Sequence, residues 1–332
     1  MPFPSDETIM ETSRGLVAQL QAIFGKHPGF RPGLSQFLLP SYGVKRSYTA
    51  HAKGILVSGT FVPSVEASKL SVAPHFTNPS TPITVRFSNS TGLPNIPDAN
   101  PNANPRGIAV RFNLGNRVHT DIIAHSTPFF PSRTGAEFLE FLKALASSPP
   151  EGPSPSPIEA YLGSHLAALA FVKAPKPTPS SYAKEAYFSV SAFKLIANDG
   201  KETHVRYSFI PELGVEVLDD AALKEKGGDY LQQELTARLT TTGVFSFRLV
   251  AQIAEEGDVV DDATIHWPDS RSVIELGVVT IEELAPENAK EQKHIIFDPI
   301  PRVKGVEPSA DPLLEMRAAI YLLSGRERRA AP

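Results

Sequence analysis

The sequence predicts an α+β fold, an antiparallel β-barrel or sandwich with helices set around it. Three observations carry that reading. Alternating strands at Thr84-Val85-Arg86-Phe87-Ser88 and Gly107-Ile108-Ala109-Val110-Arg111-Phe112 follow one another too closely for the crossovers of βαβ units. Asn198-Asp199-Gly200-Lys201 is a strong hairpin turn between two further strands. Apolar residues at helical spacing mark both ends of the chain.

In chain order, a helix is expected from Ser5 or Asp6 to Phe24, with Leu16, Val17, Leu20, Ile23 and Phe24 on one side and Gly25 as its C-cap. His27-Pro28-Gly29-Phe30-Arg31-Pro32-Gly33 reads as a turn-rich linker with a structural histidine. His51 stands at the start of a strand that runs through 55–61, and a loop rich in Asn, Pro and Asp joins 84–88 to 107–112. At 121–130 the chain is expected to turn, and His119-Thr120-Asp121 reads as a solvated turn. A helix follows with Phe138, Phe141, Leu142 and Leu145 on one face, then a Ser/Pro linker at 147–157, a helix at 158–172 and a Pro-rich connector at 173–181. Strands are expected at 186–195, 203–210, 244–253 and, last, 273–280, with a helix at 229–238. Glu255-Glu256-Gly257-Asp258 and Asp261-Asp262 read as a solvated acidic loop.

The final helix contains Met316-Arg317-Ala318-Ala319-Ile320-Tyr321-Leu322-Leu323. Arg317 and Tyr321 are four apart, so a guanidinium can reach a phenol oxygen one turn away. A free phenol has a pKa of about 10. A neighbouring cation and a ferric ion both favour its phenolate, which makes Tyr321 a candidate axial ligand to haem iron.

Composition sets bounds. The 332 residues can bury one large core or two ordinary ones. A net charge of −4 gives no footprint for nucleic acid or an anionic membrane. No apolar run approaches the ~20 residues of a spanning helix, and the first residues lack the pattern of a secretory signal; the expected location is cytoplasmic. The chain has no cysteine, which excludes disulfides, Cys zinc sites, iron–sulfur clusters, a Cys nucleophile and a thiolate-ligated haem.

Four separated stretches together resemble the monofunctional haem catalases and their short catalase-related peroxidase relatives. They are His51-Ala52-Lys53-Gly54; Val85-Arg86-Phe87-Ser88 with Pro105-Arg106-Gly107; Ser126-Thr127-Pro128-Phe129-Phe130; and 296–321, from Ile296-Phe297-Asp298-Pro299 to Tyr321. His266-Trp267-Pro268 looks like the catalase Trp-Pro before the last barrel strand. The resemblance implies an eight-stranded antiparallel barrel with surrounding helices, a C-terminal proximal helix and haem b. It implies one haem domain over 1–332, with an N-terminal helix and linker at 1–47 and the barrel plus helices at 48–332.

Carried over residue by residue, the resemblance makes Tyr321 the iron ligand and Arg317 the group that stabilises its phenolate. His51 becomes the distal acid/base and Ser88 the hydroxyl that holds its imidazole. Phe138 would stack on the haem face, and Arg86 and Arg328 would pair with the propionates. His125 stands where catalases carry an Asn that orients a second hydrogen peroxide, so weak dismutation and donor-dependent peroxidase activity are expected. Tyr48 replaces a third propionate-binding Arg, with Arg46 nearby, and Ala50 replaces a Val beside the distal histidine. Phe37-Leu38-Leu39-Pro40 has two uses open to it, covering the haem entrance or packing on a second subunit of a homodimer. The expected partners are peroxide with a small organic reductant, or a lipid hydroperoxide. Two alternatives stay open: a fatty-acid hydroperoxide isomerase or dehydratase of the allene oxide synthase type, and a non-catalytic haem-binding protein.

Overall fold

Side chains that alternate along a strand leave one apolar row to be buried, and a sheet that closes on itself buries such rows without open edges. The computed structural model describes residues 7–24, 51–149 and 151–330. Their elements are α1 (Glu7–Phe24), β1 (Gly54–Pro63), α2 (Val65–Leu70), α3 (Pro74–Thr77), β2 (Thr81–Ser88), β3 (Gly107–Asn113), β4 (His119–His125), α4 (Gly135–Ala146), α5 (Pro157–Ser164) and α6 (Leu166–Lys173). Beyond them come β5 (Tyr187–Phe188), β6 (Phe193–Ile196), β7 (Glu202–Pro211), α7 (Asp220–Lys224), α8 (Tyr230–Ala237), β8 (Phe245–Ile253), β9 (Val273–Leu284), α9 (Asn288–His294), β10 (Val306–Pro308) and α10 (Pro312–Ala330).

Eight strands close the barrel in the order β1-β2-β3-β4-β5-β7-β8-β9 and back to β1, every neighbour antiparallel. β6 and β10 extend the sheet beside β7. Ile83, Val85 and Phe87 of β2, Ile108, Val110 and Phe112 of β3, and Phe245, Phe247 and Leu249 of β8 share one buried cluster in the barrel. Gly59 lies at a bulge between β1 and β9, where a Cβ would sit 1.9 Å from the Thr280 carbonyl oxygen; no larger residue fits.

The strands at 55–61, 84–88, 107–112, 203–210 and 244–253 and the first and last helices lie where the alternation and spacing place them. The structure departs from this expectation in several places. The segment 119–125 is strand β4, not a turn; Asp121 is buried and ion-paired with Arg111, its cross-strand partner. The helix expected at 158–172 breaks at His165 (ψ 83°), whose Nδ1 contacts the Tyr161 carbonyl while its ring stacks on Tyr161 at 3.8 Å. The strand expected at 186–195 is split into β5 and β6, and the Ser189 hydroxyl donates to the Ser191 carbonyl inside the break. β10 follows β9, and α9 was not visible as a periodic pattern. The acidic loop is neutralised: Arg271 pairs with Glu255 and Asp258, and Arg133 with Asp261.

Candidate active site

Period two that turns Val85 and Phe87 inward turns Arg86 and Ser88 outward. Register then sets Ser88 opposite Gly107 and Gly107 opposite His125, one row across β2, β3 and β4. The next row is Arg86, Ala109 and Ile123, and the one after it Thr84, Arg111 and Asp121. The first two rows floor a cavity on the outside of the barrel. Its other walls come from α10, from Ile295-Ile296-Phe297, and from Leu20 of α1.

His51 reaches this floor from the segment just before β1. Residues 51–53 lie against 89–91 through His51 N–H to Ser90 O (3.2 Å), Ala52 N–H to Thr91 O (2.8 Å) and Asn89 N–H to Lys53 O (2.9 Å). His51 has φ +54°, a region unusual for a residue with a Cβ and one that a fold must enforce. The enforcement comes from beneath. Lys53 is buried, its Nζ 2.8 Å from both Asp98 and Asp229, and it donates to the Ile96 and Gly228 carbonyls. Asp98 also accepts from Asn89 Nδ2 (2.9 Å) and the Leu231 N–H (3.0 Å), and Arg106 donates to Asn89 Oδ1 and to the Asp98 carbonyl. Asp98, Asn89 and Arg106 give the sequence no periodic signal; they sit in loops and at strand ends.

The Nδ1 of His51 is 3.0 Å from Ser88 Oγ. Gly107 makes that contact possible, because a Cβ there would lie 2.9 Å from Ser88 Oγ and 3.1 Å from His51 Nδ1. Burial, reinforced by Arg86 and Arg317, lowers the His51 pKa to about 4, so the imidazole is neutral at pH 7. His125 accepts the Thr127 N–H at Nδ1 (3.2 Å), which puts the proton of the neutral ring on Nε2, and Nε2 meets no protein partner. Burial, then Arg317 and His51, lowers its pKa to about 3. Arg86 donates to the His51 carbonyl (2.9 Å) and to Gln292 Oε1 of α9 (2.8 Å); Gln292, a cavity residue, was not foreseen from the sequence.

On α10, Arg317 Nε donates to Tyr321 Oη at 3.2 Å, with the guanidinium 5.7 Å from the ring centre. Arg328 is buried and donates to the Lys293 and Ile295 carbonyls. Arg111 holds the wall to the barrel. It grips Asp121 with two bonds (2.9 and 2.7 Å), donates to the Ile296 carbonyl and lies 5.2 Å from the Phe297 ring centre.

His51, Ser88, His125, Arg86, Arg317, Tyr321 and Arg328 therefore line a single cavity. Phe138 does not line it. Its ring stands behind Phe130, 5.0 Å away, because its helix face packs with Phe141 into the cluster of Leu16, Leu142 and Met316; of the two rings, Phe130 lines the cavity. Gly25, His27, Phe37-Leu38-Leu39-Pro40, Arg46, Tyr48 and Ala50 lie outside the described residues.

A phenol braced by a guanidinium, an imidazole braced by a hydroxyl and apolar walls between them define a barrel protein with a pocket suited to haem. Residues 46–331 match the family model described as Catalase, and the chain belongs to the catalase family, whose members bind haem. It is 32% identical to a catalase-related peroxidase of Synechococcus elongatus, over 84% of this chain and 82% of that protein. A catalase-related peroxidase of Mycolicibacterium paratuberculosis is 36% identical, over 84% of this chain and 88% of its own length. Among solved structures, a fungal catalase superposes with a TM-score of 0.74 at 22% identity, covering 86% of this chain and 60% of that one. Catalase A from Saccharomyces cerevisiae gives 0.74 at 21% identity, covering 86% and 62%. The chain thus spans about three-fifths of those catalases, and the likeness to them is one of fold. No helix among the described residues is long and apolar enough to cross a membrane.

Proposed function

We propose that the chain is a haem b-dependent peroxidase that reduces hydrogen peroxide or organic hydroperoxides with an organic electron donor, and that its dismutation of hydrogen peroxide is weak. One observation carries the reading: the His51–Ser88 pair on the barrel and the Arg317–Tyr321 pair on α10 face the same cavity. As a member of the catalase family the chain is an oxidoreductase acting on peroxide. In this reading residues 1–332 work as one haem domain.

The donor set fits haem. Tyr321 would hold the iron, with Arg317 favouring its phenolate. Arg86 and Arg328, each fixed by backbone carbonyls, would face the propionates with charge-assisted bonds. Bound haem supplies the redox chemistry at the O–O bond, and a phenolate ligand strengthens it by donating electron density. The proton work belongs to His51. Neutral at pH 7, it takes a proton from the near oxygen of the peroxide and delivers it to the far one, which leaves as water or alcohol. Ser88 holds Nδ1, so Nε2 is the nitrogen presented to peroxide. His125, in the place of the catalase Asn, presents an imidazole N–H instead of an amide, which supports the weak-dismutation part of the reading.

The test measures oxygen release and donor oxidation side by side on haem-loaded protein given hydrogen peroxide. Donor oxidation with little oxygen supports the proposal; oxygen at a typical catalase rate overturns its dismutation clause, and His125→Asn should raise oxygen release. A Tyr321→Phe spectrum identical to wild type would remove the iron-ligand assignment. A second reading is favoured by the apolar walls around Ile123, Phe130, Val190 and Leu313: an isomerase or dehydratase of fatty-acid hydroperoxides, identified by consumption of lipid hydroperoxide with no donor present.

A further inference from the structure

α1 lies before the residues that match the family model, yet it is built into the cavity. Leu16 and Leu20 on its buried face pack with Phe141, Leu142, Ala168 and Met316 in one apolar cluster, with Ile320 against it. Ser13, fully buried, sets the register: its hydroxyl donates to the Ile9 carbonyl at 2.6 Å and lies 3.0 Å from Met316 Sδ on α10. Seven residues on, two helical turns from Ser13, Leu20 lies on the same face. There it lines the cavity beside Ile320 and Tyr321.

We propose that α1 is the closing wall of the tetrapyrrole site and that Leu20 is the residue on it that retains the bound haem. The inference rests on the haem reading above. A planar macrocycle of haem size leaves only where a wall can move. The barrel floor is tied by ladder hydrogen bonds across β2, β3 and β4. The 295–297 wall is tied to that floor by Arg111 and by the Asp298 N–H, which donates to Asp121 at 2.7 Å. α1 joins the site through side-chain packing on α4 and α10, without the strand-ladder bonds that tie the floor, and elements outside the core ladders open locally before those ladders do. Leu20 then bears on the ligand directly, and shortening it loosens the wall at the point of contact.

The experiment uses the full chain loaded with haem and mixed with excess apomyoglobin, without peroxide, following haem transfer by absorbance. Leu20→Ala removes three carbons from the contact, and transfer is expected to accelerate about tenfold. Leu20→Val should move the rate the same way by less, and Arg14→Ala, on the exposed face of α1, should leave it unchanged. If Leu20→Ala melts well below wild type, the Leu20→Val rate decides. Transfer by the Leu20 variants at the wild-type rate, or equal acceleration by Arg14→Ala, overturns the wall assignment while the haem reading stands. A wild-type chain that takes up no haem overturns both.

Discussion

Ser88 Oγ lies 3.0 Å from Nδ1 of His51, and the strand partner of Ser88, Gly107, is the residue that leaves space for the contact. A hydroxyl in this position holds one imidazole nitrogen so that the other faces the cavity.

Removing that hydroxyl should cost function more than stability. A hydrogen bond of this kind is worth about 1 kcal/mol, so Ser88→Ala should lower the second-order rate with peroxide by roughly fivefold. Ser88→Thr keeps a hydroxyl and should restore most of it. Stopped-flow measurement on haem-loaded protein gives the comparison, and equal rates for wild type and Ser88→Ala would remove the positioning role.

Gly107→Ala should be more damaging than Ser88→Ala. The new Cβ would crowd Ser88 Oγ and the His51 ring together, at 2.9 and 3.1 Å, so both must shift. Gly107 does not have the positive φ that would strain an alanine, so the barrel should keep its far-ultraviolet circular dichroism. Loss of peroxide reactivity with that spectrum unchanged is the expected result.

Three buried imidazoles predict an acid-sensitive fold. The pKa values of His51, His75 and His125 are lowered to about 4, 3 and 3, with burial the largest cause in each. In the unfolded chain each would ionise near 6.5. Above about pH 6.5 both states are neutral and nothing is lost. As pH falls from there toward 4 the unfolded chain takes up protons first, costing about 1.4 kcal/mol of stability per pH unit for each imidazole. Urea midpoints between about pH 7.5 and 4.5 should fall accordingly, and His75→Phe should make the decline shallower by about a third.

Lys53→Met should be strongly destabilising. Its ammonium is 2.8 Å from buried Asp98, and stranding a buried carboxylate costs about 3–5 kcal/mol. Double substitution of Lys53→Met with Asp98→Asn should recover part of the loss in urea unfolding, since the residue that lost its ammonium partner is then neutral.

How much of this was readable in the sequence depended on what each residue answers to. Arg317 and Tyr321 are local, four apart on one helix, and their contact follows from helix geometry. Ser88 and His125 are placed by strand register; alternation gives their face, and only the pairing of β2 with β3 and β3 with β4 sets them in one row with Gly107. The 119–125 strand was missed because Asp121 is polar, and its burial is intelligible only once Arg111 is opposite it. Phe138 followed the resemblance, but the apolar stripe it shares with Phe141 turns toward α1, which no local pattern reveals. The Asp98, Asn89 and Arg106 support of His51 is a set of long-range polar contacts, and such contacts leave no periodicity.

The two braced pairs come from far-separated parts of the chain, His51 and Ser88 early and Arg317 and Tyr321 late. A ribosome therefore releases every barrel strand before it completes the last helix, and contacts between such distant segments form slowly. The cavity that both pairs line is therefore complete only once α10 has packed against the barrel.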